Sequence, residues 1–411
     1  MTDLDVEQIR KDFQIFDRQI NGQRIVYLDS AASSQKPRAV LETMERFYAT
    51  SYAPTHRSAY QLATDATEAF EMARLKVKRF INAPSEASCI FVKNATEGLN
   101  LAIQSWGRAN LHEGDPVVLT LLEHHANIVP WHMLAAERGI ELRWVGLTDD
   151  GQLDLSNLDE LLDGAKAFGF SAMSNVLGTI TPVRRLTDAA HDHGAIAVVD
   201  ACQYVPHVAT DVQAMGADFI AFSAHKMCGL SGIGVVWGHE ELLEAMPPFL
   251  GGGHMIADVR LDGFTPAELP AKFEAGTPPI AEAVGFGAAI DYLNDLGMAN
   301  VRAHEMGLTR HAIDDLKARF GDDITIFGPD NVEVRGGTLS FAYRDVHPHD
   351  VSQVLDQTNV CVRAGHHCAK PLMRHLGVAA TARASLYLYN DADDVAALAD
   401  GLDHAADFFA F

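Results

Sequence analysis

The sequence predicts an α/β fold: a large domain on a doubly wound, mostly parallel sheet, followed by a smaller α+β domain. Three observations carry this expectation. A length of 411 residues exceeds what one small core organises. From Arg24 to about His239, short runs rich in Val, Ile, Leu and Phe alternate with segments of helical length. Beyond Ala281 the alternation gives way to a different order of helices and strands.

The strand candidates, in order, are RIVYLDS, CIFVK, PVVLTLLE, LRWVGL, AFGFSAMSN, AIAVVDA, DFIAFSAH and GIGVVWG. Nearly continuous apolar runs suit strands buried on both faces, as crossover connections require. Only a short Gly-containing turn precedes GIGVVWG, too short for a crossover, so this strand should join the sheet antiparallel. Gly251 to Pro279 is rich in Gly and Pro and reads as a loop or hairpin over the sheet. A helix near Ala281 to Leu296 then leads to a unit from about Val301 to Phe411. Its expected order is helix, GTLSFAYR strand, HDVSQVLDQ helix, VCVRAG strand, ASLYLY strand and a final helix.

The 55 acidic against 32 basic residues give a formal charge of -23, which argues against nucleic acid as a partner because phosphates call for clustered Lys and Arg. MTDLDVEQIRKDF lacks the basic and apolar regions of a signal peptide, and runs such as AIAVVDA fall far short of a membrane span. A cytoplasmic location is therefore expected. Five scattered cysteines, Cys89, Cys202, Cys228, Cys361 and Cys368, do not make a disulfide framework. NAT at Asn94 to Thr96 matches a glycosylation sequon, which a cytosolic chain does not use.

Parallel sheets place ligands at the carboxyl ends of their strands. Those ends carry Asp200, then Ser223, His225 and Lys226, then Asn175, then His124 and His125. CIFVK is followed by NATEGLN, where Thr96 and nearby amides open a helix and offer an anion site. Lys226 alone reads as a solvated lysine and Asp200 alone as a helix cap. Together at one sheet edge they suit pyridoxal 5'-phosphate (PLP), which needs a lysine for its Schiff base, a carboxylate for its ring nitrogen and donors for its phosphate. Gly229, Gly232 and Gly234 link two strands rather than a strand and a helix, so they are not a dinucleotide loop.

The motifs LDSAA, NATEG, EHHANIVPW, SNVLGT, VVDACQ, SAHK, FEAGTP, RAGHHCA and RAS occur in an order that resembles the SufS-type (group II) cysteine desulfurases. These are PLP-dependent enzymes of class V aminotransferase fold. The resemblance runs from about Tyr27 to Asn390 and implies fold-type I, a seven-stranded sheet, and a homodimer. It implies a large PLP-binding domain over residues 21–295, and a small domain of residues 1–20 and 296–411 carrying the cysteine loop. It further implies that Lys226 is the Schiff-base lysine, that Asp200 pairs with the ring nitrogen, that Gln203 contacts the phenolic oxygen and that His124 stacks on the ring. Thr96, Ser223 and His225 would hold the phosphate, with Thr277 reaching in from a neighbouring subunit. Asn175 and Arg383 would bind the carboxylate of L-cysteine, and His56 and Arg363 fall in matching motifs as substrate-side residues. Met227, Cys228, Gly229 and Leu230 depart from the family's aromatic-Gly-Pro pattern after the lysine, which puts the packing beside Lys226 in question.

RAGHHC at 363–368 admits three readings. Zinc wants four separated ligands, whereas His366, His367 and Cys368 are consecutive, so no metal is expected within the monomer. A Cys361–Cys368 disulfide requires an oxidising compartment and suitable geometry. The third reading, a loop nucleophile with His366, His367 and Arg363 supplying positive charge, agrees best with the resemblance, in which Cys368 accepts sulfur as a persulfide for iron-sulfur cluster assembly. VHPHDV resembles the version in desulfurases that serve SufU-type zinc scaffold proteins, and there His349 would engage the partner's zinc. Alternatives of the same fold are a selenocysteine lyase, a cysteine sulfinate desulfinase or an aminotransferase. A catalytically silent relative would be expected to lack Lys226 or Asp200.

Overall fold

The computed structural model describes residues 4–409; the outermost parts of the small domain expected from sequence, 1–3 and 410–411, lie outside the described residues. Seven strands form the main sheet: β1 (Cys89–Val92), β2 (Pro116–Thr120), β3 (Glu141–Val145), β4 (Ala167–Ser171), β5 (Ile196–Asp200), β6 (Phe219–Ser223) and β7 (Gly234–Gly238). Their spatial order is β1-β7-β6-β5-β4-β2-β3. Strands β2 to β6 pair parallel, while β7 runs antiparallel to both neighbours, as its short connection predicts.

Successive residues of a strand face opposite sides, and the two sides build two cores. Val118, Phe168, Phe170, Val199, Ile220, Phe222 and Val235 join one, beneath the helices Arg38–Thr50, Gln61–Phe80 and Ile280–Leu296. Val117, Leu119, Ala167, Val198, Phe219, Ala221 and Val236 join the other, with Leu99, Ile103, Trp106 and Trp131 from the covering helices. Burial on both faces explains why these strands read as continuous apolar runs.

RIVYLDS departs from expectation. Val26–Tyr27 does not enter the main sheet but pairs parallel with Val360–Cys361, and Val26 and Leu28 lie in the core of the C-terminal unit. That unit contains an antiparallel sheet of β8 (Ile324–Phe327), β9 (Thr338–Tyr343), β10 (Arg363–Gly365) and β11 (Thr381–Ser385), ordered β8-β9-β11-β10. Ile324–Phe327 is a strand that the sequence does not lead one to expect: Gly321 ends the preceding helix, but four residues are too few to show a strand period. The segment VCVRAG divides between two pairings, and the last strand begins earlier than ASLYLY suggests. In the Gly- and Pro-rich segment, Ile256–Arg260 and Gly263–Pro266 form an exposed hairpin.

The departure after Lys226 is well packed. Met227, Cys228 and Leu230 join the core, and Leu230 lies against Gly285, where a Cβ would stand 2.6 Å from Leu230 Cδ1. Gly234 is required for a different reason than phosphate binding: a Cβ there would lie 2.7 Å from the carbonyl oxygen of Phe222 and 2.9 Å from Asn94 Cα.

Candidate active site

The register of β4, β5 and β6 sets Ser171, Asp200 and Ala221 side by side at the carboxyl edge. Just past it lies a cavity of about 220 Å³ lined by Thr96, His124, Asn175, Asp200, Gln203, Ser223, His225, Lys226, Arg363, Cys368 and Arg383. Ala31, Ala32, Cys202 and His367 complete much of the wall. Eleven of the fourteen residues singled out from sequence therefore converge.

Asp200 is the last residue of β5, and its Oδ1 accepts the backbone N–H of Cys202 at 2.9 Å. Burial raises its pKa above the ordinary carboxyl range, with the Cys202 amide and Lys226 acting in the other direction. A cation placed beside it would reverse the rise. Lys226 ends the 3-10 turn Ala224–Lys226 that follows β6 directly. The helix Ala95–Leu101 opens at the same edge; Asn94 Oδ1 caps it by accepting Glu97 N–H at 3.0 Å, and Ser223 Oγ accepts Ala95 N–H at 2.8 Å. Asn94 thus serves as an N-cap.

His124 is neutral. Its Nδ1 accepts the N–H of Ala126 at 3.0 Å, which leaves the proton on Nε2, and burial, then Lys226, push its pKa down to about 3. Burial together with Lys226 and Lys36 lowers His225 to about 4. Gln203 Nε2 donates to the carbonyl of Ala31 at 2.7 Å, leaving its Oε1 buried without a partner.

Arg383, on β11, is 2 % exposed. One terminal nitrogen donates to the carbonyl of Asn175 at 2.9 Å and the other to Asp29 Oδ1 at 3.2 Å, while Nε is a buried donor without a partner. Burial lowers its pKa to about 10, opposed by Asp29. Asp29 Oδ2 also accepts from Arg363 Nε and a terminal nitrogen, at 3.3 and 3.2 Å. Asp29 thus couples two arginines of the cavity, a role not inferred from LDSAA.

Cys368 is exposed. Its backbone holds the loop: its carbonyl accepts His125 N–H at 2.7 Å, its N–H donates to His366 Nδ1 at 3.1 Å, and His367 and Cys368 have φ of 50° and 57°. Asn175 Nδ2 donates to the carbonyl of His367 at 2.7 Å, tying the loop to the wall of the cavity that carries Asn175 and Arg383. The expectation that His367 supplies positive charge is corrected. Its ring is buried, Nε2 meets Thr381 Oγ1 at 2.9 Å, and burial followed by Arg383 hold it to about 3, so it is neutral. Cys361 and Cys368 are both free thiols, and among the described residues no cluster of three or more His, Cys, Asp or Glu is arranged to hold a metal.

Three residues lie elsewhere. Thr277 is exposed in a separate cleft with Lys93, Glu97, Phe249 and Phe273. His56 pairs with Glu71 at 2.9 Å and neighbours His254 rather than the cavity. His349 is exposed on the helix Pro348–Gln357, stacked on His347 at 5.5 Å between ring centroids.

Glu123 had no role assigned from sequence. Fully buried, and adjacent to His124 in the chain, it accepts from Thr120 Oγ1 (2.6 Å), Asn127 Nδ2 (2.7 Å), Ser171 N–H (2.8 Å) and Ser171 Oγ (2.8 Å). Burial outweighs these donors and raises it to about 7. A raised carboxyl adds nothing unfavourable below the unfolded value near 4.5, but lowers stability progressively as pH rises from there to about 7. Relative to Glu123→Gln, the wild type should lose roughly 3 kcal/mol of stability across that window in chemical denaturation. A constant difference from pH 4.5 to 7 would contradict this assignment.

The model of the family described as aminotransferase class V matches residues 26–398. A protein of Streptomyces coelicolor named "Probable cysteine desulfurase" is 52 % identical over 413 residues, covering 99 % of this chain and 98 % of that protein. The apo structure of a cysteine desulfurase from Thermococcus onnurineus superposes with a TM-score of 0.92 at 37 % identity, over 97 % of each chain. The cysteine desulfurase CsdA (S-sulfonic acid) of Escherichia coli gives 0.90 at 35 %, over 99 % of this chain and 100 % of that one.

Proposed function

The chain belongs to the class V aminotransferase family, and from that membership we propose that it is a PLP-dependent cysteine desulfurase of the SufS type. It converts L-cysteine to L-alanine and retains the sulfur on Cys368 as a persulfide for iron-sulfur cluster assembly. The observation that carries this reading is the convergence of Lys226, Asp200, Arg383 and Cys368 on one cavity.

The donor set suits PLP. A buried carboxylate with no salt bridge among the described residues, a lysine, an orphaned Gln203 oxygen and a capped helix start beside Ser223 match its ring nitrogen, aldehyde, phenolic oxygen and phosphate. Thr96, Ser223 and His225 would hold the phosphate, joined by Thr277 of a second subunit, which its place outside this chain's own cavity supports. Bound PLP supplies an electron sink for the pair left on the substrate's Cα when its proton departs.

The chain's residues do the remaining work. Arg383 and Asn175 fix the substrate carboxylate, with the unpartnered Nε of Arg383 available for a two-pronged contact. Lys226 takes the Cα proton and returns it. The Cys368 thiolate forms a bond to the substrate sulfur as the Cβ–S bond breaks, the bonding pair stays with carbon, and a proton completes the methyl group. In total, L-cysteine and the Cys368 thiol give L-alanine and the Cys368 persulfide. Neutral His124 would stack on the ring of bound PLP, with its Nε2 proton free to donate at the cavity.

Incubation with L-cysteine should yield alanine and an intact-mass gain of one sulfur atom on the chain. Absence of both would overturn the assignment. Arg383→Lys offers a point charge instead of a planar fork, and should raise KM for L-cysteine by about 10- to 100-fold with a smaller change in kcat. The exposed His349 would meet the zinc of a SufU-type scaffold. His349→Ala should abolish stimulation by that protein while leaving turnover with dithiothreitol intact.

A further inference from the structure

The turn that presents Lys226 is gripped from outside the sheet. The carbonyl oxygen of His225, one residue before the lysine, receives four donors: Ser34 N–H at 3.0 Å, Ser33 Oγ at 3.1 Å, Ser34 Oγ at 3.2 Å and Lys36 Nζ at 3.0 Å. A carbonyl has two lone pairs, so this one is saturated beyond ordinary need. Two residues after the lysine, the N–H of Cys228 donates to Ser34 Oγ at 2.8 Å. Cys228 has φ of 62°, a left-handed conformation that a non-glycine residue keeps only when its surroundings enforce it. Segment 33–36 therefore brackets Lys226 on both sides along the chain.

Lys36 is the unusual member. Its ammonium also meets Ser34 O, and Ser33 Oγ at 3.4 Å, yet no carboxylate pairs with it among the described residues. Burial lowers it to about 8, opposed by Cys228. Nothing in general packing asks for a half-buried, unpaired lysine, and an apolar side chain would fill the space at lower desolvation cost. Its charge acts on His225, as does that of Lys226, so both cations lie within range of one imidazole.

The geometry points to Lys36 as a positioning residue that locks the His225–Lys226 peptide and holds a positive charge behind the Schiff-base lysine. This inference rests on the assignment of Lys226 as that lysine. The charge would disfavour the protonated form of the lysine-cofactor linkage, keeping part of it unprotonated near neutrality. The other ionisable groups of the cavity that holds Lys226 are Asp200 from β5, His124 beyond β2, His225 from the same turn, Cys202 after β5, Arg383 from β11, and Arg363, His367 and Cys368 from the cysteine loop; the two arginines share the sign of Lys36. Asp200 opposes Lys36 in sign.

The test is a pH titration of the visible absorbance of the PLP-loaded protein. Lys36→Met should raise the midpoint by about 0.5 pH unit or more, because removal of a nearby cation favours the protonated form. It should also lower kcat by about tenfold with KM for L-cysteine little changed, since the substrate site is untouched. Lys36→Arg, which keeps the charge, should restore the midpoint. Lys36→Gln keeps a donor to His225 without the charge, and serves if the methionine variant does not fold. It should show the raised midpoint with less loss of kcat. A purely structural lysine would lower the melting temperature and leave the midpoint in place, and an unchanged midpoint in both neutral variants overturns the proposal. Absence of any visible band in the wild type sinks instead the assignment of Lys226 on which it rests.

Discussion

Lys226→Ala should abolish turnover of L-cysteine, with kcat lower by about 10,000-fold or more, while the protein stays folded. The first half follows from the two tasks placed on one amine. General acid–base transfer at Cα accounts for roughly 100- to 10,000-fold by itself, and loss of the covalent tether to the cofactor adds to it. The second half follows from what the side chain does not do. Its ammonium makes no hydrogen bond or ion pair with the described residues, so truncation leaves no buried partner unsatisfied, unlike truncation of Glu123 or Arg383. Calorimetry and turnover should therefore separate cleanly: a melting temperature within a few degrees of wild type, no visible band from a lysine-cofactor linkage, and no alanine. Retained turnover would remove Lys226 from the chemistry. A collapsed melting temperature would assign it a structural task that the geometry does not provide.

The main sheet was legible because its strands are buried on both faces, and burial leaves continuous apolar runs whose last residues mark the functional edge. Asp200 and Lys226 are found by that rule alone. What the sequence hid was pairing across long separations. RIVYLDS has the composition of a central strand, yet Val26 pairs with Val360, and no local pattern distinguishes those fates. Asp29 lies near the end of that run and Lys36 in the loop beyond it, and their importance comes from residues far along the chain: Arg363 and Arg383 for one, the His225 carbonyl for the other. Glu123 was visible within EHHANIVPW, but a carboxylate beside two histidines suggests a solvated or metal-binding group. Only the converging donors from Thr120, Asn127 and Ser171 identify a buried brace next to His124. His367 teaches the converse. In sequence it is equivalent to His366, but the loop's left-handed turn sends one ring into the interior against Thr381 and leaves the other beside the thiol.

That loop geometry sets the second large effect. In Cys368→Ser, multiple-turnover sulfide release should fall by about 100- to 1,000-fold, because a hydroxyl is a far weaker nucleophile toward sulfur than a thiolate. What the Cys368 side chain leaves untouched is what holds the loop: the Cys368 carbonyl on His125, its N–H on His366, the His367 carbonyl on Asn175 and the His367 ring on Thr381. Serine preserves all of these contacts, so substrate binding through Arg383 and Asn175 should survive and KM should shift little. The substituted protein should bind L-cysteine and perturb the visible band of the cofactor. It should release little alanine and show no mass gain after washing. This pattern separates a nucleophile from a lid. If Cys368 only closed the cavity, the serine variant would retain turnover, and Cys368→Ala would behave like it. If Cys368 takes the sulfur, both variants stall at the same point, after substrate binding and before the Cβ–S bond breaks, and no external thiol restores the rate. Near-wild-type sulfide release from Cys368→Ser would move the acceptor role to another thiol. Cys202, buried in the wall of the same cavity, would then be the first residue to substitute.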